Sequence, residues 1–181
     1  TKALAGRKFD TCSIVNATSG LCPEACKWCA QSAHYGTGVA THGLISEEQC
    51  LDCARENEET GVGRFSIVTS GRKPSAGELG RSFGIARRLK ADTRLRLCAS
   101  LGLLSSEELE ALKESGISRY HCNLETAASF FGTLCTTHTH EQKLGTLRAA
   151  ARAGLEICSG GIICMGENMA QRIELAFELK E

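Results

Sequence analysis

The chain has 181 residues, 42% of them hydrophobic, which is enough apolar material for one core of ordinary size. Lys+Arg and Asp+Glu number 21 each, and this zero net charge argues against nucleic acid or an anionic membrane as partner. No apolar run is long enough to span a bilayer, and eleven cysteines, an odd number with no signal-peptide pattern, point to a reducing, cytoplasmic setting in which thiols more often bind metal or react than staple loops.

Short strand-like runs alternate with helix-like ones along the chain. CSIVNA (12–17) predicts a strand, and SEEQCLDCARENEETG (46–61) a helix opened by Ser46. RFSIVTSG (64–71) is the second strand, followed by a helix over 74–90 with Leu79, Phe83 and Ala86 on one face. LRLCAS (95–100) is the third, followed by a helix over 105–116 with Ser105 and Glu108 as capping box and Gly116 as stop. SRYHCNLE (118–125) is the fourth, followed by a helix over 139–154 capped by Thr139 and Gln142. LEICSGGI (155–162) is the fifth, followed by a helix over 168–180 with Met169, Ile173 and Ala176 on one face.

Five successive strand–helix units imply a parallel sheet with right-handed crossovers, either most of a (β/α)8 barrel or a doubly wound sheet. The doubly wound fold calls for a glycine-rich phosphate turn after its first strand. The stretch there, NATSGLCPEAC, has no G-x-G-x-x-G, so the α/β class narrows to a partial (β/α)8 TIM-type barrel with about five βα units. The chain starts without Met and stops inside a helical pattern, so residues 1–181 are expected to be one barrel domain cut short at its C-terminal side, a piece of a longer protein.

A barrel places its chemistry where strands end, and CPEACKWC (22–29) follows the first strand. Cys22, Cys26 and Cys29 have a C-x3-C-x2-C spacing. Structural zinc wants four ligands, so here a fourth would come from elsewhere. Three thiolates on one loop can instead hold three corners of a [4Fe–4S] cube and leave one iron open to a small molecule.

CPEACKWC matches the motif of radical S-adenosylmethionine enzymes. Its surroundings resemble the biotin synthase family: CSIVNATSGLCPEACKWCAQSAHYGTGV, RFSIVTSGR, LCASLGLLS, YHCNLET, CTTHTHEQKLGTL and ICSGGIICMGE follow the family's segments in order. The resemblance implies conversion of dethiobiotin to biotin by radical sulfur insertion. The alternatives are a related enzyme of the hydrogenase-maturase type, or a non-catalytic iron–sulfur or zinc module. It implies a [4Fe–4S] cluster on Cys22, Cys26 and Cys29, with S-adenosylmethionine on the fourth iron. Trp28 matches an aromatic beside adenine, with ordinary core packing as the alternative. Thr69, Ser70 and Gly71 match the turn that takes the methionine amino group. Glu125 matches the ribose carboxylate, Asn123 a contact to nucleoside and substrate, and Ile162 an adenine contact. His121 stands at a substrate-contacting position and His138 at that of an arginine near the cofactor's carboxylate. An electron donor such as flavodoxin or ferredoxin and a homodimeric assembly are further expectations.

The family also carries a second iron–sulfur cluster inside the barrel. Cys98 and Cys158 match two of its cysteines, while Ser66 stands at a third, so the type of that cluster is left open. Alternation along the strands turns Arg64 and Ser66, Arg96 and Cys98, Glu156 and Cys158, and His121, Asn123 and Glu125 toward the lumen. Cys122 then points outward. The face of Cys12 is undetermined, and Cys12, Cys135 and Cys164 are candidates to complete a rebuilt second site. The competing expectation is an Arg–Glu network with incidental cysteines. His34, His42 and His140 are expected at the surface or as caps.

Overall fold

The structure, a computed structural model, describes residues 10–180. Five strands, β1 (Cys12–Asn16), β2 (Arg64–Val68), β3 (Arg96–Ser100), β4 (Arg119–His121) and β5 (Glu156–Cys158), form one parallel sheet in the order β1-β2-β3-β4-β5. Neighbours in space are neighbours in sequence throughout, as in a (β/α)8 barrel; a doubly wound sheet would reverse direction. The helices are α1 (Glu47–Glu59), α2 (Ala76–Asp92), α3 (Ser106–Glu114), α4 (Ala128–Leu134), α5 (His140–Arg152) and α6 (Met169–Glu178). None is long and apolar enough to cross a membrane.

Local sequence fixes where the helices begin. Ser46/Gln49, Ser75/Glu78, Ser105/Glu108, Thr139/Gln142 and Asn168/Gln171 each form a complete capping box. Each cap is worth about 1 kcal/mol, enough to set the register at which each helix leaves its loop. The exception is α4, a helix the sequence pattern did not predict. It spans seven residues and starts at Ala127 with no side-chain cap, so neither periodicity nor capping marks it.

The core lies between sheet and helices. Phe65, Ile67, Leu97, Ala99 and Tyr120, from one sheet face, join Leu79, Ile85, Leu89, Leu109, Leu112 and Leu147 of the helices in one buried cluster. A buried Leu or Ile contributes roughly 1.5–3 kcal/mol, so this outer layer supplies the hydrophobic stabilisation. The opposite face carries the other parity. Register aligns Ile14, Ser66, Cys98, Arg119 and Glu156 in one row, Cys12, Arg64 and Arg96 below it, and Val68, Ser100, His121 and Cys158 above it.

One expectation is corrected. The strand expected over 118–125 is ordered as ladder only to His121, because Glu125 adopts a left-handed backbone (φ 71°) that a regular strand cannot contain. The α6 face that carries Met169, Ile173 and Ala176 lies open: Met169 is 65% and Ile173 51% exposed, Ala176 is exposed, and α6 buries Leu175. A short amphipathic helix has more than one apolar stripe, and contact with Gly161 selects the one that holds Leu175.

Candidate functional site

The loop after β1 holds itself together with little regular structure. Gly20 and Leu21 both take positive φ (72° and 50°), turning the chain back over the strand ends. Gln31 Oε1 accepts from Ser19 Oγ and the Gly20 amide, and the Cys22 amide donates to Gln31 O at 3.0 Å. Ser32 Oγ donates to Glu24 O at 2.7 Å, and His34 Nε2 lies 2.9 Å from Pro23 O. This local pinning explains His34 at the surface; His140, by contrast, is buried and edge-on to Phe131, which corrects its expected surface position.

The loop closes one wall of a cavity of about 300 Å³ at the C-terminal ends of β2, β3 and β4. Cys22, Cys26 and Cys29 all line it, with Thr69, Ser70, Gly71, His121, Asn123, Glu125 and His138. The structure therefore gathers these ten site residues read from the sequence around one cavity, while Cys98 and Cys158 lie outside its lining. Trp28 stays outside the lining and packs edge-on against Phe131 (centroids 5.8 Å apart). Ile162 is 41% exposed and meets the site through its amide, which donates to Glu125 O at 2.7 Å. A larger apolar cavity of about 520 Å³, lined by Leu124, Leu144, Leu147 and Ile157 among others, lies between α5, β5 and α6 and contains no cysteine.

Burial pushes the Cys22 thiol up, while backbone amides of Glu24 and Gly71 aimed at its sulfur favour the thiolate. Burial also pushes the Cys26 thiol far up. On β2's turn, Ser70 Oγ donates to Gly20 O at 3.0 Å, and Thr69 Oγ1 is buried with no hydrogen-bond partner among the described residues. Glu125 is raised by burial, opposed by Lys143, whose Nζ lies 3.8 Å from Glu125 Oε1 and donates to Asn123 O at 2.9 Å. His121 Nε2 lies 2.9 Å from Asn123 Oδ1.

Sequence reasoning missed Lys143, Glu24 and Arg119, and placed Cys135 elsewhere. Lys143 follows the capping residue Gln142, where nothing in the local pattern separates it from a solvated helix charge. Burial works against the Glu24 carboxylate, but hydrogen bonds from His138 and Thr137 outweigh it and hold Glu24 below the usual carboxylate range. Burial lowers His138. The Glu24 carboxylate thus accepts from His138 Nδ1–H. Cys135, a candidate for the barrel interior, sits instead against Cys26, with 3.6 Å between the sulfurs, because α4 delivers it to the cysteine loop.

Inside the lumen, Arg64 is fully buried and donates to Cys98 Sγ (3.7 Å), Ser118 Oγ (3.2 Å) and Glu156 Oε2 (3.2 Å). Arg119 shares Glu156 at 2.9 Å, and Arg96 pairs with Asp10. The expected Arg–Glu network is therefore present. Burial pushes the Cys98 thiol up to about 11 against the pull of Arg64. Register places Cys12 on the same face, and Cys158 is half-buried beside His121. Cys122 is buried in the outer core, as its parity requires. Cys164 is exposed in the turn before α6, where Arg172 donates to its sulfur.

The sequence profile of the Radical SAM superfamily matches residues 17–179. Among curated proteins, the biotin synthase of Porphyromonas gingivalis is 55% identical over 179 residues, 99% of this chain and 54% of the relative. That of Desulfotalea psychrophila is 56% identical over 176 residues, 97% of this chain and 52% of the relative. The chain spans about half the length of these relatives. Among solved structures, methylornithine synthase superposes with a TM-score of 0.86 at 15% identity, covering 98% of this chain and 52% of that one. A maturase of the [FeFe]-hydrogenase superposes at 0.76 with 13% identity, covering 94% and 39%. These two likenesses establish the fold.

Proposed function

The chain belongs to the radical SAM superfamily, and from that premise we propose that it is the cofactor-binding part of a biotin synthase, which inserts sulfur into dethiobiotin. The observation that carries the reading is the cavity that joins all three loop cysteines to the β2 turn and Glu125. Identity of 55% with a curated biotin synthase favours that substrate over the maturase alternative, whose likeness rests on fold.

The residues fit the cofactors. Three thiols suit iron held as a [4Fe–4S] cluster, and amides directed at Cys22 favour its thiolate. The unpartnered Thr69 Oγ1 offers a buried hydroxyl beside the same cavity. When bound, the cluster and S-adenosylmethionine supply one-electron cleavage of the sulfonium and hydrogen-atom abstraction from the substrate.

In this proposal Cys22, Cys26 and Cys29 hold the cluster. The Thr69–Ser70–Gly71 turn orients the methionine amino group, and Glu125 accepts from the ribose hydroxyls. Trp28 and Ile162 flank the adenine from the rim, and His121 and Asn123 meet the substrate. The carboxylate of S-adenosylmethionine is met by Lys143 or Arg72, both of which line the cavity, since His138 Nδ1 is committed to Glu24. Cys98 and Cys158 hold part of a second iron–sulfur cluster, with Cys12 the additional thiol that register brings to their face. Arg64 and Arg119 offset its negative charge. Residues 1–181 form one domain, and the remainder of the barrel, flavodoxin or ferredoxin as electron donor, homodimeric assembly and a cytoplasmic location complete the proposal.

Anaerobic reconstitution of the full-length protein tests it through iron and sulfide content together with biotin formation. About eight irons with turnover of dethiobiotin is expected; about four irons and no biotin would remove the second cluster and the substrate.

A further inference from the structure

Cys26, Cys135 and His138 bring one ligand atom each within 4.8 Å of one another, and all three are buried. The Cys26 and Cys135 sulfurs are 3.6 Å apart, and Cys135 Sγ lies 3.4 Å from His138 Nδ1 and 3.8 Å from Nε2. With zinc–sulfur bonds of 2.3 Å and zinc–nitrogen bonds near 2.0 Å, two ligands on one tetrahedral ion stand about 3.8 Å (S···S) or about 3.6 Å (S···N) apart. The observed spacings are those of ligands sharing one ion. Thiolates on different irons of a cube are held farther apart than this.

The surroundings are also those of a metal-bound histidine. Such a ring donates its other N–H to a carboxylate, which fixes tautomer and orientation. Here Glu24 takes the Nδ1 side of His138, and Thr137 Oγ1 donates to the same carboxylate oxygen at 2.8 Å. Nε2 is thereby left with a lone pair for a metal. Cys26 and His138 line the cavity, so the fourth coordination position opens into it.

We propose that Cys26, Cys135 and His138 form a mononuclear site for a thiophilic divalent cation of the zinc class, with Glu24 as its orienting carboxylate. Binding expels both thiol protons to solvent, and the imidazole enters neutral. Resting on the cluster assignment above, the site excludes that cluster, because both demand Cys26. Zinc and iron would then be alternative occupants of the same loop.

The test uses full-length protein stripped of iron under anaerobic conditions and titrated with Zn2+ or with Co2+ as a spectroscopic probe. One equivalent should bind, with the visible bands of tetrahedral, thiolate-ligated Co2+. Cys135→Ala should weaken Zn2+ binding at least a hundredfold, and Glu24→Gln about 10–100-fold. Cys22→Ala should leave Zn2+ affinity unchanged. Uptake of about eight irons by Cys135→Ala, as in the parent protein, would show that the variant folds. Zinc-loaded protein should fail to assemble the loop cluster, and should not cleave S-adenosylmethionine, until a chelator is added. Unchanged affinity in Cys135→Ala, or its loss in Cys22→Ala, overturns the site. A protein that assembles its clusters but takes no zinc overturns this inference alone. Zinc binding as described, with no iron cluster under any condition, would overturn the cluster assignment alone.

Discussion

Lys143 reaches across the mouth of the cavity to Glu125: its Nζ stands 3.8 Å from the carboxylate, and both side chains are nearly buried (12% and 13% exposed). Burial raises the Glu125 pKa and the lysine lowers it. Lys143→Met removes the opposing charge, so Glu125 should titrate at higher pH. Only the ionised carboxylate accepts from two ribose hydroxyls, so S-adenosylmethionine binding should fall on acidification through a window displaced upward in the variant. Calorimetric titration across pH 5 to 8 checks this. An unshifted window would show that the lysine does not act on the Glu125 carboxylate.

Cys26→Ala should abolish reductive cleavage of S-adenosylmethionine, since two thiols cannot retain a cube with one open iron. Detection of 5′-deoxyadenosine by chromatography after dithionite treatment is the measurement, and continued production would dismiss the loop as the cluster site.

Cys98→Ala and Cys158→Ala should behave differently from the loop variants. Both residues face the lumen below the cavity, so cofactor cleavage should persist while biotin formation stops. Parallel loss of both activities would indicate a general structural role instead.

Arg64→Ala should destabilise the protein by about 3 kcal/mol in urea unfolding. The guanidinium is fully buried with Glu156 and Ser118 as partners, and removing one member of such a set leaves the others unmatched. Glu156 is 54% exposed and recovers part of the loss from water, which sets the figure at the low end. Arg64→Lys should recover little, since one ammonium cannot reach three directions.

Gly161→Ala tests the shape of the Glu125 corner. A Cβ there would lie 2.5 Å from Leu175 Cδ2 and 2.8 Å from Glu125 O. About 1–3 kcal/mol of destabilisation is expected, with weaker S-adenosylmethionine binding because relief of the clash displaces Glu125. Unchanged affinity would show that the corner yields on the α6 side.

Strand parity was legible because a two-residue period admits one correct assignment once an apolar face is recognised. Phe65 and Ile67 against Arg64 and Ser66 settle β2, and the same contrast settles β3. Arg119 follows the same rule but was overlooked beside His121. The cysteine loop was legible through its spacing and family resemblance. The neighbourhood of Cys135 was not, since it depends on a short uncapped helix and on a contact 109 residues away in the chain. No local pattern encodes such a pairing. Likewise α6 has a helical period, but which stripe packs depends on the room left by Gly161.

The cysteine loop is fastened from far along the chain. The Lys27 amide donates to Leu134 O, its Nζ to Thr133 O, and the Ala25 amide to Thr137 Oγ1, spanning more than a hundred residues each. During vectorial synthesis the three thiols therefore leave the ribosome long before the segment that orders them. Until residue 138 has emerged, CPEACKWC is an unstructured thiol-rich tether, open to any thiophilic ion or oxidant. High contact order here imposes a timetable on metal delivery: iron insertion into a finished pocket must wait for the end of the fourth helix and the loop after it to dock, and nascent chains stalled before that point would carry their cysteines unprotected.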